Sequence, residues 1–348
     1  MNYQIGITTR DGAQFGFTCR SGQSLLAAAE AAAITLPSQC KSGACGACAA
    51  RVVTGNYELG EHNPAALPAH EPGAILMCCT VPRSDLHIAA PYDSAKVLRQ
   101  SVPVRSAHII TLETIALNTV KLVLCLDADD TQGSAAMFEP GQFAELEVPA
   151  SAHEAPAGGV RRPWSFANTG NWEGRLEFLI RLQPQGAFSG WLRDHARPGD
   201  ALLVHGPQGG FGLLVQSLRP RWFVAGGTGL APVLSMLRHM AEYQEPGEAR
   251  LFFGVTHENE LFMLDELERL QAALPQLQVT LCVWRPQGKD WAGFRGTPVE
   301  ALGEALAQTG VKPDLYVCGP PALVNGARAA AVAAQVPAEQ FVSERFAR

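Results

Sequence analysis

The sequence predicts a multidomain chain of mixed β and α/β class, and three observations carry that expectation. At 348 residues the chain exceeds a single core of roughly 150 residues. Short β-like runs punctuated by Gly and Pro fill it up to Gly206, whereas strands and helices alternate after Arg221. A hydrophobic content of 47% against 17% charged residues supplies ample core material and excludes a disordered polyelectrolyte. The 27 basic and 33 acidic side chains leave a net charge of -6, so nothing draws the chain generally to nucleic acid or an anionic membrane.

The elements follow in order. Two β-like runs from Tyr3 to Cys19 flank Asp11-Gly12, a dipeptide suited to a tight hairpin. Ser24 to Ala33 is rich in helix formers, has Ser21 and Ser24 as cap candidates, and stops before Pro37. A cysteine loop, a strand at Ala49 to Val53 and further runs around Ile75 and Leu86 to Ala89 complete a first unit, expected at residues 1–95. Residues 92–103 show neither periodicity and close on Pro103, which suits a linker whose core is 96–103.

Residues 104–217 read as a small antiparallel β-barrel with strands at Ser106 to Leu112, Thr119 to Leu126, Phe143 to Val148, Leu176 to Leu182 and Ala201 to His205. Its one helical stretch is Ser189 to His195. Residues 218–348 alternate strand and helix, which calls for a parallel sheet with helices on both faces. No run approaches the ~18 apolar residues of a membrane span, since Glu30 breaks the stretch Ser24 to Leu36. The start MNYQIGITTRDG lacks the basic and apolar runs of a secretory signal, so the expected compartment is the cytoplasm.

The nine cysteines are odd in number and unevenly spread, a poor fit to a disulfide framework. Cys40, Cys45 and Cys48 have the C-x4-C-x2-C spacing of plant-type [2Fe-2S] ligation, which needs a distant fourth cysteine. Gly43 and Gly46 can turn that loop tightly and bring backbone N–H groups to sulfur. A structural zinc site is the alternative, although zinc favours paired C-x2-C knuckles.

Three further sets of residues suit cofactors. Arg162-Pro163-Trp164-Ser165 offers a cationic fork, an aromatic ring and a hydroxyl. The turn Gly226-Gly227-Thr228-Gly229, followed by Pro232, stands between an apolar strand and a helix, where a dinucleotide approaches backbone amides. Cys318-Gly319-Pro320 ends the fourth strand of the alternating region, where open α/β sheets place ligands. A surface Arg with a core Trp, a plain structural turn and a buried packing cysteine are the ordinary readings of these sets.

Together these segments resemble the ferredoxin-reductase-like reductase components of bacterial multicomponent oxygenases, over essentially the whole chain. The likeness to soluble methane and butane monooxygenase reductases runs through GNYELGEHNPAALPAHEPGAILMC, GRLEFLIRLQPQGAFSGWLRD, FVAGGTGLAPVLSMLRHM and LFFGVTHENELF. The resemblance implies an N-terminal β-grasp plant-type ferredoxin domain, an antiparallel β-barrel FAD domain and a Rossmann-like α/β NAD domain. It selects Cys78, not its neighbour Cys79, as the fourth cluster ligand. It further implies that Arg162, Trp164, Ser165, Gly186, Phe188 and Ser189 bind FAD, although Trp164 stands where the family usually has tyrosine. By the same resemblance, Gly226, Gly227, Thr228, Gly229, Pro232, Cys318, Gly319 and Pro320 bind the nicotinamide nucleotide. Ser165 and Cys318 lie at the reacting ring, and aromatic Phe346 of the closing strand covers the flavin; Phe341 is equally explained as core.

The implied activity is electron transfer from NADH through FAD and a [2Fe-2S] cluster to a di-iron hydroxylase, with no nucleic acid and no membrane as partner. A Rieske-type dioxygenase as acceptor, an independent NADH diaphorase, and a redox-sensing binding module are the other readings. Glu258 and Glu260 near the expected ribose site favour NADH over NADPH, whereas Arg285 at the end of the next strand argues the other way and its neighbour Trp284 is a poor phosphate ligand.

Overall fold

The computed structural model describes residues 1–67, 72–99, 101–130, 133–214, 217–288 and 291–346. The chain divides into two compact units, Met1–Pro103 with Arg345–Arg348, and Val104–Glu344.

In the first unit β1 (Asn2–Thr8) and β2 (Gln14–Arg20) form the hairpin that Asp11-Gly12 announces, with Gly12 at φ 81°. Helix α1 (Leu25–Ala31) starts where Ser24 Oγ accepts the Ala27 N–H, and it buries Leu25, Leu26, Ala28 and Ala29. Strands β3 (Ala49–Thr54), β4 (Tyr57–Leu59), β5 (Ala74–Leu76), β6 (Thr80–Pro82) and β7 (Leu86–Ala89) follow. The main sheet has the order β2-β1-β7-β3-β5, with β1 and β7 parallel, while β4 and β6 pair separately. Ile5, Ile7, Phe17, Ile75 and Ile88 fill the space between sheet and helix, the β-grasp arrangement.

The expected linker is not free along its whole length. Tyr92 is buried in this core, Ser94 N and Oγ donate to the Asp11 carboxylate at 3.0 and 2.6 Å, and Leu98 bridges Thr35. These anchors are single residues bonded to partners far away in sequence, so they leave no periodic trace.

The second unit begins with β8 (Val104–Ala116), β9 (Thr119–Leu126), β10 (Phe143–Val148), β11 (Val160–Ser165) and β12 (Arg175–Arg181), then helix α2 (Ala187–Asp194) and β13 (Ala201–Gln208). The antiparallel order β11-β10-β13-β8-β9-β12 closes into a barrel, because Phe166 bridges Phe178 and Ala167 N donates to Glu177 O at 2.8 Å. Phe178, Ile180, Leu122 and Leu146 fill it, and α2 lays Phe188, Trp191 and Leu192 on the same core.

The α/β part comprises β14 (Arg221–Gly226), α3 (Leu230–Glu242), β15 (Ala249–Val255), α4 (Leu264–Ala273), β16 (Leu277–Val283), β17 (Phe294–Arg295), α5 (Pro298–Gln308), β18 (Asp314–Gly319), α6 (Pro321–Ala333) and β19 (Phe341–Arg345). The sheet order is β17-β16-β15-β14-β18-β19, with β14 through β18 parallel. The chain therefore reverses direction across the sheet between β14 and β18, the crevice where doubly wound sheets bind ligands.

Helix α3 locks this sheet to the barrel. Ser235 Oγ donates to Asn168 O at 2.6 Å, and Arg238 reaches Ala167 O, Glu177 at 3.0 Å and Glu266 at 2.7 Å. Against burial, which raises it, Arg238 and Lys121 hold the Glu177 carboxyl below its ordinary range. Barrel and sheet lie within one compact unit, Val104–Glu344, and this buried polar contact joins them.

Candidate functional site

The loop between α1 and β3 gathers the thiols. Gly43 and Gly46 adopt φ 73° and 81°, and a Cβ on Gly46 would lie 2.4 Å from Ala66 O, so both turns require glycine. In consequence the N–H groups of Ser42, Ala44 and Cys45 point at Cys40 Sγ from 3.4–3.5 Å, and Ala47 N–H points at Cys45 Sγ from 3.4 Å. The Cys45 thiol and these amides hold Cys40 down to about 4 in spite of burial. Contact with Cys40 and burial push Cys45 up, and contact with Cys48 and burial push Cys78 up.

Cys48 Sγ and Cys78 Sγ are 3.3 Å apart, and Cys79 Sγ lies 3.5 Å from Cys78. The sulfurs thus meet as the pairs Cys40/Cys45 and Cys48/Cys78, and among the described residues no single point is surrounded by three or more metal-binding side chains. Two pairs fit a rhombic two-iron cluster, in which each iron takes two thiolates, better than they fit one tetrahedral ion.

In the second unit, β11 carries Arg162 and Trp164 on one face and Ser165 on the other. Arg162 is exposed, its guanidinium donating to Arg161 O at 2.8 Å. Trp164 is half-buried, its ring centroid 5.8 Å from that of Phe188, and its buried Nε1 finds no acceptor. Such an orphaned N–H calls for a partner that the protein does not supply. Gly186 precedes α2 and no side chain caps that helix start, which leaves its N–H groups for an anion. Ser189 Oγ is buried and accepts the Gln183 N–H at 2.9 Å, which secures the turn before the helix. The exposed cationic fork, orphaned indole N–H and uncapped helix start fit a flavin dinucleotide along β11 and α2.

Across the crevice, Gly226 ends β14 and Gly227, Thr228 and Gly229 form a tight turn into α3. A Cβ on Gly229 would lie 2.2 Å from Cys318 O, so only glycine permits β18 to pass this close. Pro232 sits in the first turn of α3, where its missing N–H costs nothing. Gly319 approaches Gly226, and Pro320 precedes α6. These small residues fit a dinucleotide laid over backbone amides.

The two sides meet through buried groups. Ser165 Oγ donates to Glu344 Oε2 at 3.0 Å, and Cys318 Sγ stands 3.9 Å from the same oxygen. Burial lifts Glu344 to about 7, opposed by the Ser165 and Cys318 donors, and burial beside Glu344 keeps Cys318 a neutral thiol. The segment containing Glu344 was recognised in the sequence, but the weight fell on its aromatic residues. A carboxylate in the closing strand Phe341–Arg345, beside the Cys318 strand, was the available signal.

Three other expected residues are placed as follows. The Glu258 carboxylate accepts N–H groups of Gln287 and Gly288 at 2.8–3.2 Å, which hold it below its ordinary range and make it a clamp on the loop after β16. Phe346 follows β19, is half-buried, and belongs to the first compact unit by its contacts. Arg285 lies over the exposed Trp284 ring at 4.1 Å.

These features define a modular oxidoreductase of ferredoxin-reductase type. A 2Fe-2S iron-sulfur cluster binding domain matches residues 8–83, an oxidoreductase FAD-binding domain residues 106–212, and an oxidoreductase NAD-binding domain residues 223–329. The chain is 38% identical over 310 residues to methane monooxygenase component C of Methylosinus trichosporium, covering 87% of each. It is 36% identical to the ferredoxin–NAD(+) reductase component of the alkene monooxygenase system of Xanthobacter autotrophicus, covering 95% and 97% of the two chains. Among solved structures, an Amycolatopsis cytochrome P450 reductase superposes with a TM-score of 0.74 at 28% identity, covering 98% of both. The chain belongs to the iron–sulfur flavoprotein reductase components of multicomponent oxygenases.

Proposed function

We propose that this chain supplies electrons from NADH to a di-iron monooxygenase of the methane- or alkane-oxidising kind. The observation that carries the reading is the 38% identity to methane monooxygenase component C along 87% of the chain. Cys40, Cys45, Cys48 and Cys78 would hold the cluster, and Arg162, Trp164 and the start of α2 the FAD. When bound, the two groups convert a hydride pair into single electrons. The glycines at 226, 227, 229 and 319 let the nucleotide approach the sheet edge. Ser165 orients its hydroxyl toward Glu344 and so fixes the proton shared at Oε2, while buried Cys318 excludes water beside it. A cytoplasmic setting agrees with nine unpaired cysteines.

The test is reconstitution of the holoprotein with a purified di-iron hydroxylase and, separately, with a Rieske-type dioxygenase. NADH-dependent alkane hydroxylation coupled to NADH consumption is expected. Coupled turnover of the dioxygenase alone would overturn the choice of partner, and the 31% identity to the toluate 1,2-dioxygenase electron transfer component of Pseudomonas putida gives that arm its weight.

A further inference from the structure

We infer that Cys79 is a reserve ligand for the iron that Cys48 and Cys78 would share; the inference rests on the cluster reading above. Cys79 is a fifth thiol at a site that uses four, and the proposed electron path has no task for it. Its sulfur stands 3.5 Å from Cys78 Sγ, close to the 3.3 Å between Cys78 and Cys48. Two thiolates on one tetrahedral metal, with bonds of about 2.3 Å, lie about 3.8 Å apart, so Cys79 occupies ligand-to-ligand range.

The backbone around it is fixed. Cys79 N donates to Leu76 O and Gly60 N donates to Cys79 O, both at 2.9 Å. The space for its sulfur comes from the cluster loop itself, since a Cβ on Gly43 would lie 2.7 Å from Cys79 Sγ. A rotation about the Cys79 Cα–Cβ bond is therefore the motion that an exchange requires, without refolding of the turn. In the exchange the bond from iron to Cys78 would be replaced by one to Cys79, and the proton lost by the Cys79 thiol would be taken up by the released Cys78 thiolate through solvent. No electron is transferred.

Alanine variants of the full-length holoprotein separate the possibilities, because alanine offers no oxygen ligand. Cys79→Ala is expected to keep the wild-type iron and sulfide content and the wild-type electron paramagnetic resonance spectrum. Cys78→Ala is expected to keep iron and sulfide at the wild-type stoichiometry, with shifted resonance and circular dichroism in the visible. Cys78→Ala/Cys79→Ala is expected to lose the cluster while retaining flavin. Loss of the cluster from Cys78→Ala, with far-ultraviolet circular dichroism and flavin content unchanged, would overturn the inference. So would a cluster that survives in the double variant, or one lost from Cys79→Ala alone. Wild-type protein without a [2Fe-2S] cluster would instead remove the reading on which the inference stands.

Discussion

Replacing Glu344 by Gln tests the chemistry at the meeting of barrel and sheet. Burial raises this carboxyl from 4.5 to about 7. A raised acid favours the folded chain when protonated, so its contribution is fully present below about 4.5 and is lost as the pH climbs through 7. Each pH unit of that interval is worth about 1.4 kcal/mol, which makes the loss about 3 kcal/mol by pH 8. Gln keeps the acceptor for Ser165 Oγ but cannot ionise. Urea unfolding of wild type and Glu344→Gln at pH 5 and pH 8 isolates the effect, because other titrating groups cancel between the two proteins. The wild type should lose about 2.5 kcal/mol more than the variant between pH 5 and pH 8, because the first part of the loss already lies below pH 5. The pH profile of NADH-dependent ferricyanide reduction should likewise lose its break near 7. Equal losses of stability in the two proteins would refute the assignment of a neutral-range proton to Glu344.

Arg238→Met removes the cation between Glu177 and Glu266. Since Glu177 keeps Arg175 and Lys121, and Glu266 keeps Arg269, the cost should fall at or below the lower end of the roughly 3–5 kcal/mol of a broken buried pair; unchanged unfolding in urea would count against the junction. A chain beginning at Val104 should remain a soluble flavoprotein that reduces ferricyanide with NADH and cannot feed the oxygenase, whereas aggregation or loss of FAD would show that the second unit needs the first. Steady-state rates should give a higher kcat/KM for NADH than for NADPH; the opposite order would point to Arg285 as the residue to mutate.

Most of the architecture was legible because it is written in local periodicity. Alternation marked β9 and β10 at their observed bounds, and the strand and helix grammar after Arg221 gave the parallel sheet. Short pieces were missed: β4, β6 and β17 have two or three residues each, too few for a period. The cysteine loop was legible because ligand spacing is itself a sequence property. Groups assembled across long separations were not, as Ser165 and Glu344 stand 179 positions apart. Local roles were equally invisible: Ser189 and Glu258 have the right chemistry for a ligand, and both also accept backbone N–H groups. Such pairings depend on loop geometry that residue type does not disclose.

An anaerobic titration of the full-length holoprotein with NADH, followed by visible absorption and electron paramagnetic resonance, tests the central claim most directly. The account predicts bleaching of the flavin band together with the growth of a reduced [2Fe-2S] signal. Flavin reduction with a cluster that stays oxidised, or a metal centre that proves to be zinc, would contradict an electron path from nucleotide to cluster.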